Sequence, residues 1–275
     1  MAVIAGLQPG TVHAADDVPA IPAENPPPAA SDYRSFSGFG SRLVDDTTAT
    51  LLAPIRWDGH EWLLTGAITV GIVGAGLLWD EEIERDSQKD RESGKDQTLD
   101  KVGLLGTGVS LAVIGGLWIG GELTDSPRAV DTALDCIESS IIASGIITPS
   151  IKFIVGRERP GNGDAFKFDP FTTFSSSFPS GHTTQAFAVA SVIAASYDDH
   201  PWIGVTALTI AGVVGYSRIN ANQHYASDVL AGAAIGTAVG WSIVRRHRQQ
   251  ATGLTPDVGL VLGGTVQGVK MTWRF

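Results

Sequence analysis

The chain has 275 residues, of which 43% are hydrophobic and only 17% charged, and its formal net charge is −10. That charged fraction lies below the ~25% typical of soluble domains, and an acidic balance without a basic stripe excludes a nucleic-acid partner. A single cysteine, Cys136, excludes an internal disulfide and a cysteine-rich metal site. Because it lies in an apolar stretch, we expect it to be inert packing.

The N-terminal part of the chain divides into two polar segments. Residues 1–32 are signal-like and then Pro-rich: small residues end at Ala15, acidic sequence comes next, and the positive start of a secretory signal is missing. We expect a signal-like or disordered segment here. Residues 33–60 form an amphipathic lead-in to the apolar part of the chain.

Six apolar stretches lie beyond residue 60, and they predict an all-α fold. The first two, 62–79 and 102–121, are uncharged runs of 18 and 20 residues, close to the ~20 needed to cross a bilayer as helix. The charged sequence 80–101 between them predicts a solvated loop. We therefore predict a bundle of about six apolar helices, a domain spanning 61–248, in which the later helices cover 129–155, 183–196, 202–216 and 226–244.

Details of two of these stretches and of the C-terminus refine this prediction. Asp131, Asp135 and Glu138 interrupt the third stretch, so one side of that helix must face other helices or water. Glycines repeat every four residues along the sixth, at 232, 236 and 240, and permit close helix approach. After the basic cluster 245–248, alternating apolar residues around Gly263-Gly264 predict a short β-hairpin within 254–275.

Three polar islands interrupt the apolar second half of the chain. They are Lys152–Pro160 (KFIVGRERP), Pro179–His182 (PSGH) and Ser217–Asp228 (SRINANQHYASD). If the helices alternate across a membrane, all three islands fall on one side. The basic cluster 245–248 at the far end of the sixth helix marks the cytoplasmic side, which would place the islands on the outer face.

The residue types of the islands suit phosphoryl transfer without a metal. Lys and Arg neutralise phosphate oxygens, and Arg does so with a bidentate fork. Backbone N–H groups at a helix start after Ser180-Gly181 form an anion cradle. His224 and Asp228 are four residues apart and share a helical face, so the carboxylate can orient the imidazole. His182, from another island, is free to act as a general acid.

The ordered pattern Lys-x6-Arg-Pro, Pro-Ser-Gly-His and Ser-Arg-x5-His-x3-Asp resembles the type 2 phosphatidic acid phosphatase superfamily. That superfamily includes bacterial class A acid phosphatases and vanadium haloperoxidases, and the resemblance covers roughly residues 60–245. It implies a helical bundle in which His224 attacks phosphorus to form a phosphohistidine and His182 protonates the leaving oxygen, with Asp228 orienting the nucleophile. It also implies phosphate binding without metal or cofactor by Lys152, Arg159, Ser180, Gly181 and Arg218.

Each motif also has a structural interpretation. Lys152 alone would be a snorkelling cation. Pro-Ser-Gly alone would be an ordinary turn, and His-x3-Asp alone a structural hydrogen bond. Because the three motifs occur together and in order, we favour the phosphate site. We assign Arg157 and Glu158 to a solvated charge run. Histidines outside the islands are predicted to lie at the surface: His13, His60, His200 and His247.

Four functions remain open on the sequence. The first is a phosphatase acting on a lipid phosphate monoester or pyrophosphate, such as a phosphatidate, phosphatidylglycerophosphate or prenyl pyrophosphate, from a bacterial inner membrane with its site facing the periplasm. The second is a soluble periplasmic acid phosphatase for small phosphomonoesters. The third is a vanadate-dependent haloperoxidase, and the fourth a non-catalytic membrane module.

Overall fold

The computed structural model describes residues 36–89, 93–161, 164–251, 257–263 and 266–272. The chain divides into two compact units, Met1–Arg42 and Leu43–Phe275. The described part of the first unit is the beginning of helix α1, where the Arg42 guanidinium lies 5.8 Å from the centroid of the Phe39 ring. The predicted segment 1–32 lies outside the described residues.

The described residues are mostly helical, as predicted. The helices are α1 (Phe36–Arg56), α2 (Gly59–Lys89), α3 (Ser93–Leu123), α4 (Pro127–Ser139), a π-helical segment (Ser140–Ile147), α5 (Thr148–Val155), α6 (Gly181–Ser196), α7 (Pro201–Asn220) and α8 (Ala226–Ala251). Because α4, the π-helical segment and α5 run on as one, six rods follow α1, which agrees roughly with the predicted count. Strands β1 (Asp257–Gly263) and β2 (Val266–Thr272) pair antiparallel, with Leu260 opposite Val269.

The charged sequence 80–101 is mostly helix, and the prediction of a solvated loop there was wrong. Helix α2 continues to Lys89 and α3 begins at Ser93. The sequence between residues 80 and 89 is rich in Glu, Arg and Lys, which have high helix propensity, and Lys89 pairs with Asp86 one turn earlier at 3.1 Å. Interleaved charges are equally compatible with a solvated helix, so they did not mark the end of α2.

Proline explains the wide turn in the long rod formed by α4, the π-helical segment and α5. Pro149 has no N–H to donate, and its ring would clash with the carbonyl oxygen of residue 145 in a regular α-helix. The backbone widens to a π-helix through Ser140–Ile147, and the Thr148 N–H bonds back to the Ala143 carbonyl. Lys152 comes one turn later, at the site-facing end of α5.

Helix α6 is the central helix of the bundle. It packs against α3, α4, α7, α8 and the π-helical segment, and most of its residues are buried. The glycine ridge of α8 lies against it: a Cβ at Gly236 would come within 2.4 Å of the Thr184 carbonyl oxygen, and one at Gly240 within 2.6 Å of that of Ala188. Helix α6 has 16 residues and is enclosed by the other helices.

Candidate active site

The structure brings the three islands together at one end of the bundle, where α5 and α7 end and α6 and α8 begin. The Ser177 N–H donates to the Arg157 carbonyl (2.7 Å), and the Ser180 N–H donates to the Asp228 carbonyl (3.0 Å). Arg159 Nη1 donates to Gln223 Oε1 at 2.8 Å. Main-chain and side-chain bonds therefore tie each island to the next.

Two of the three proposed phosphate-binding cations are held by one loop. Lys152 Nζ is buried and donates to the carbonyl oxygens of Ser176 and, at 3.3 Å, Ser177. Arg159 Nε donates to the Ser175 carbonyl at 3.1 Å. Three successive carbonyls just before the second island thus position cations of the first.

The third cation, Arg218, lies in the last turn of α7. It is buried, and its Nε is 3.4 Å from Ser217 Oγ. Arg218, Arg159 and Lys152 all act on His182: after burial, their positive charges are the causes that hold the pKa of this histidine below its ordinary value. The positive charges of all three cations, which come from two islands, therefore act on the imidazole of the remaining island.

Ser180 and Gly181 begin α6 in the way the sequence indicated. Ser180 is the N-cap residue, its hydroxyl accepts a hydrogen bond from Thr183 Oγ1 at 2.9 Å, and its carbonyl accepts the Thr184 N–H. A Cβ at Gly181 would meet only Thr148 Cγ2 at 3.8 Å, an ordinary contact. The packing of the protein itself therefore leaves room for a side chain at this position.

His224 and Asp228 are adjacent, but a serine lies between them. His224 Nδ1 is 3.8 Å from Asp228 Oδ2, longer than a hydrogen bond. Ser177 Oγ donates to Asp228 Oδ2 and lies 3.5 Å from His224 Nδ1. The pKa of His224 is lowered to about 4, chiefly by burial. The positive charges of Lys152 and Arg159 also lower this pKa, whereas Asp228 raises it. The imidazole is therefore neutral at pH 7.

Arg157 is not part of a solvated charge run, and that prediction was wrong. Its side chain is 5% exposed. Nη1 donates to Asp228 Oδ1 at 2.8 Å and to Ser227 Oγ at 2.7 Å, while Nη2 donates to Asp80 Oδ2 at 2.8 Å. Glu158, the other member of the run, is only partly exposed, at 28% of its side chain, and pairs at 2.9 Å with Lys167, which is exposed.

Asp80, on α2, completes a buried network that holds the carboxylate beside the histidine. Its Oδ1 accepts the Ser227 N–H at 2.9 Å, and its Oδ2 accepts the Ser227 hydroxyl. Asp228 in turn accepts the Tyr225 N–H at 2.8 Å. Two buried carboxylates therefore share one guanidinium, and the orientation of Asp228 depends on a helix that carries none of the three motifs.

Sequence reasoning missed four residues of this site: Asp80, Arg157, Ser177 and Gln223. Three of them left a signal. Arg157 stands inside the first island and Gln223 inside the third, and Asp80 is the first charge after an 18-residue apolar run, where a buried partner is a reasonable expectation. Ser177 is an ordinary polar loop residue outside the islands, and nothing in its sequence surroundings distinguishes it.

His247 is also not the surface residue predicted; His60 and His200 are exposed as expected, and His13 lies outside the described residues. The Nε2 atom of His247 contacts Asp46 Oδ2 at 2.7 Å and its Nδ1 contacts Asp135 Oδ1 at 2.9 Å. Asp46, Glu138 and His247 could present metal-ligand atoms within 4.8 Å of one another. Both ring nitrogens already face carboxylates and Arg246 pairs with Asp46 at 2.8 Å, so the group acts as an ion-pair cluster joining α1, α4 and α8.

Comparison with known proteins points to one family. Residues 136–251 match the PAP2 superfamily model, which confirms the resemblance over that segment. The lipid A 1-phosphatase of Porphyromonas gingivalis is 43% identical over 90 residues, 32% of this chain and 18% of that protein. The lipid A 1-phosphatase of Rhizobium etli is 33% identical over 108 residues, 38% of this chain and 44% of the relative.

The chain thus spans less than half the length of these curated relatives. Among solved structures, Aquifex aeolicus LpxE aligns with a TM-score of 0.47 and 24% identity, over 60% of this chain and 94% of that one.

Proposed function

We propose that this chain, whose residues 136–251 match the PAP2 superfamily, is a metal-independent phosphatase that removes a phosphate group from a membrane lipid through a phosphohistidine intermediate. The observation that carries the proposal is that the loop carbonyls of residues 175–177 hold Lys152 and Arg159 beside a neutral, buried His224, and that these two cations and Arg218 all act on His182. Three cations can neutralise the equatorial oxygens of a transferred phosphoryl group. Phosphoryl transfer requires this electrostatic stabilisation from the protein.

In the first step, the His224 ring attacks phosphorus. Nδ1 faces Asp228 and Ser177, so Nε2 is the nitrogen available to donate its lone pair. The P–N bond forms as the P–O bond to the lipid breaks, and protonated His182 gives its proton to the leaving oxygen. Asp228 stabilises the positive charge that develops on the imidazole.

In the second step, water replaces the protein nitrogen. His182, now neutral, accepts a proton from the attacking water, the P–N bond breaks, and inorganic phosphate leaves with His224 neutral again. The three cations, with burial, lower the pKa of His182, and this fits the cycle. A bound phosphate dianion would offset their charge and let the imidazole take up the proton that it then delivers.

Membrane helices beside the site support a lipid substrate. Four helices are long and apolar enough to cross a membrane, Gly59–Lys89, Pro127–Val155, Pro201–Asn220 and Ala226–Ala251, and α2 exposes large apolar side chains along its length. A lipid could keep its acyl chains in the bilayer while its phosphate enters the site. Arg245 and Arg246, at the opposite end of α8, favour a cytoplasmic location for that end and hence a periplasmic site in the inner membrane.

The names of the curated relatives make lipid A the first substrate to try. We propose measuring phosphate release in excess chelator, by wild type and by His224→Ala, from diphosphorylated lipid A, phosphatidate, a prenyl pyrophosphate and a soluble aryl phosphate. Release from a lipid that the variant does not support is the expected result. Preference for the aryl phosphate would instead indicate an acid phosphatase, and halide oxidation with vanadate but no hydrolysis would indicate a haloperoxidase. Inactivity in both assays would indicate a non-catalytic module.

Arg218 should require its guanidinium and not merely a charge. Arg218→Ala is expected to lower kcat/KM by about 10²- to 10³-fold, as for removal of one oxyanion donor, and Arg218→Lys should recover only part of this because lysine lacks the bidentate fork. Steady-state kinetics with the best lipid substrate decide the point. Equal rates for lysine and arginine would mean that Arg218 supplies only electrostatic attraction.

The pH profile should show an unusually acidic lower limb. The proposed nucleophile must be neutral, and its folded pKa is about 4 rather than the ~6.5 of an ordinary histidine. Protonation of His224 therefore begins to reduce kcat/KM only as the pH falls toward 4. A limb centred near 6.5, measured as kcat/KM at saturating detergent, would show that this histidine is not held neutral by its surroundings.

A further inference from the structure

Four phenylalanines are concentrated in the loop that lies beyond the first island. Phe166, Phe168, Phe171 and Phe174 lie within residues 164–174, here called the phenylalanine loop, and each side chain is between 41% and 64% exposed. Aromatic residues that are exposed together in this number mark an interaction surface. None of the motifs and no step of the mechanism uses these rings.

The loop is fixed to the end of α5 by main-chain bonds. The Phe171 N–H donates to the Phe153 carbonyl (2.7 Å) and the Asp169 N–H to the Gly156 carbonyl (2.9 Å). Gly156 has φ +63°, and a Cβ there would lie 2.0 Å from the Asp169 carbonyl oxygen, so only glycine permits this approach. Phe153 also contacts the rings of Phe171 and Phe174, with centroids 5.7 and 4.7 Å away.

The depth of the loop can be inferred from α2. The uncharged run of that helix ends at Trp79, which is exposed, and the next residue, Asp80, contacts Arg157 at 2.8 Å. The same Arg157 guanidinium lies 6.0 Å from the centroid of the Phe168 ring. The phenylalanine loop therefore lies at the level where an apolar span gives way to charge, and Phe, like Trp and Leu, is a side chain that interfacial segments bury at the boundary between headgroups and acyl chains.

We propose that the phenylalanine loop inserts into the interfacial layer of the bilayer leaflet that faces the site. The carbonyls of Ser175 and Ser176, which directly follow the loop, hold Arg159 and Lys152, so one rigid segment joins the inserted rings to the phosphate-binding cations. Insertion fixes the height of those cations relative to the lipid headgroups. Identification of the phosphorylated substrate in that leaflet rests on the proposed function; penetration of the bilayer does not.

Fluorescent labels at single introduced cysteines test the insertion directly. Native Cys136 is fully buried, so a thiol-reactive probe will label Phe171→Cys or Phe174→Cys selectively. The full chain is reconstituted into vesicles of phosphatidylethanolamine and phosphatidylglycerol that carry spin-labelled lipids. Leu77→Cys, in the apolar run of α2, is the lipid-facing control, and Asp86→Cys, nearly two turns beyond Asp80, is the aqueous control.

Lipid quenchers placed near the headgroup should quench the labels at 171 and 174 at least as strongly as that at 77, and aqueous iodide should quench only the label at 86. Iodide quenching at 171 and 174 would overturn the proposal, because the rings would then face water. Protection from both quenchers would also overturn it, because a second copy of the chain would then cover the loop.

Kinetics separate this proposal from the proposed function. Phe171→Ser with Phe174→Ser should raise KM for a vesicle-borne substrate by about tenfold, the scale expected for lost burial of apolar rings. The same pair should leave kcat/KM for a soluble aryl phosphate within about twofold, whereas leucine at both positions should retain the wild-type KM. An unchanged KM in the serine pair would contradict a role in substrate capture.

If wild type hydrolyses nothing, the proposed function fails while the quenching experiment still reports on insertion.

Discussion

Replacement of His224 by alanine should abolish turnover, with a loss of roughly 10⁴-fold or more, as when the nucleophile of a catalytic triad is removed. The imidazole is buried, neutral and oriented toward Asp228, and no other described side chain gathered at the site has this combination. The measurement is phosphate release from the preferred lipid, together with trapping of a labelled phosphoryl group on the protein. Wild type should carry the label and the variant should not.

His182→Ala is the matched control, because it removes a second histidine from the same site without removing the nucleophile. An aryl phosphate has a good leaving group that needs little protonation, so His182→Ala should retain far more activity on it than on a lipid phosphate. His224→Ala should be inactive on both. If the two variants lost activity in parallel on both substrates, or if His224→Ala kept the wild-type rate, the assigned roles would be wrong.

Removal of Arg157 should be the most destabilising change in the site. Arg157→Ala leaves the carboxylates of Asp80 and Asp228 buried together without their shared cation, and breaking a buried pair in this way costs about 3–5 kcal/mol. In a chain of this size we expect the midpoint of thermal unfolding in detergent to fall by about 10 °C. Activity should fall as well, because Asp228 loses the bond that fixes its Oδ1.

Glu158→Ala is the matched control for Arg157, since Glu158 is the adjacent residue and its ion pair with Lys167 lies toward solvent. An exposed pair contributes little, so this variant should unfold at the wild-type temperature. Combining Arg157→Gln with Asp80→Asn removes one of the two stranded charges and should recover part of the stability. An unchanged unfolding temperature in Arg157→Ala, or no recovery of it in the double variant, would show that Arg157 does not stabilise the fold by neutralising the buried carboxylates.

Local patterns located the three islands because their chemistry is contained in short spacings. The Lys-x6-Arg-Pro, Pro-Ser-Gly-His and His-x3-Asp patterns each lie where a helix meets the adjoining loop, and the apolar stretches predicted the helices that join them. The glycine ridge of α8 also had a local signal, and its close contact with α6 agrees with it. Candidate site residues could therefore be named before their neighbours in space were known.

Contacts between distant parts of the chain could not be predicted in this way. Asp80 meets Ser227 across 147 residues, and His247 meets Asp46 across 201. A charged residue is assigned to the surface by default because burial of an unpaired charge is costly. We therefore assigned His247 and Arg157 to the surface. His247 stands among arginines, and Arg157 is next to a glutamate. Their partners could be found only once the helices had been packed.

The contact between Asp80 and Arg157 bears on the order in which the protein can assemble. During synthesis, α2 is complete well before Arg157, which lies 77 residues beyond Asp80, has left the ribosome. An ionised carboxylate without a partner is unfavourable among apolar helices, so Asp80 must stay at the water-exposed end of its helix during that interval. Arrival of the late guanidinium then allows α2 to settle against α8. The candidate site thus includes a contact from a helix outside the segment that the PAP2 superfamily match covers.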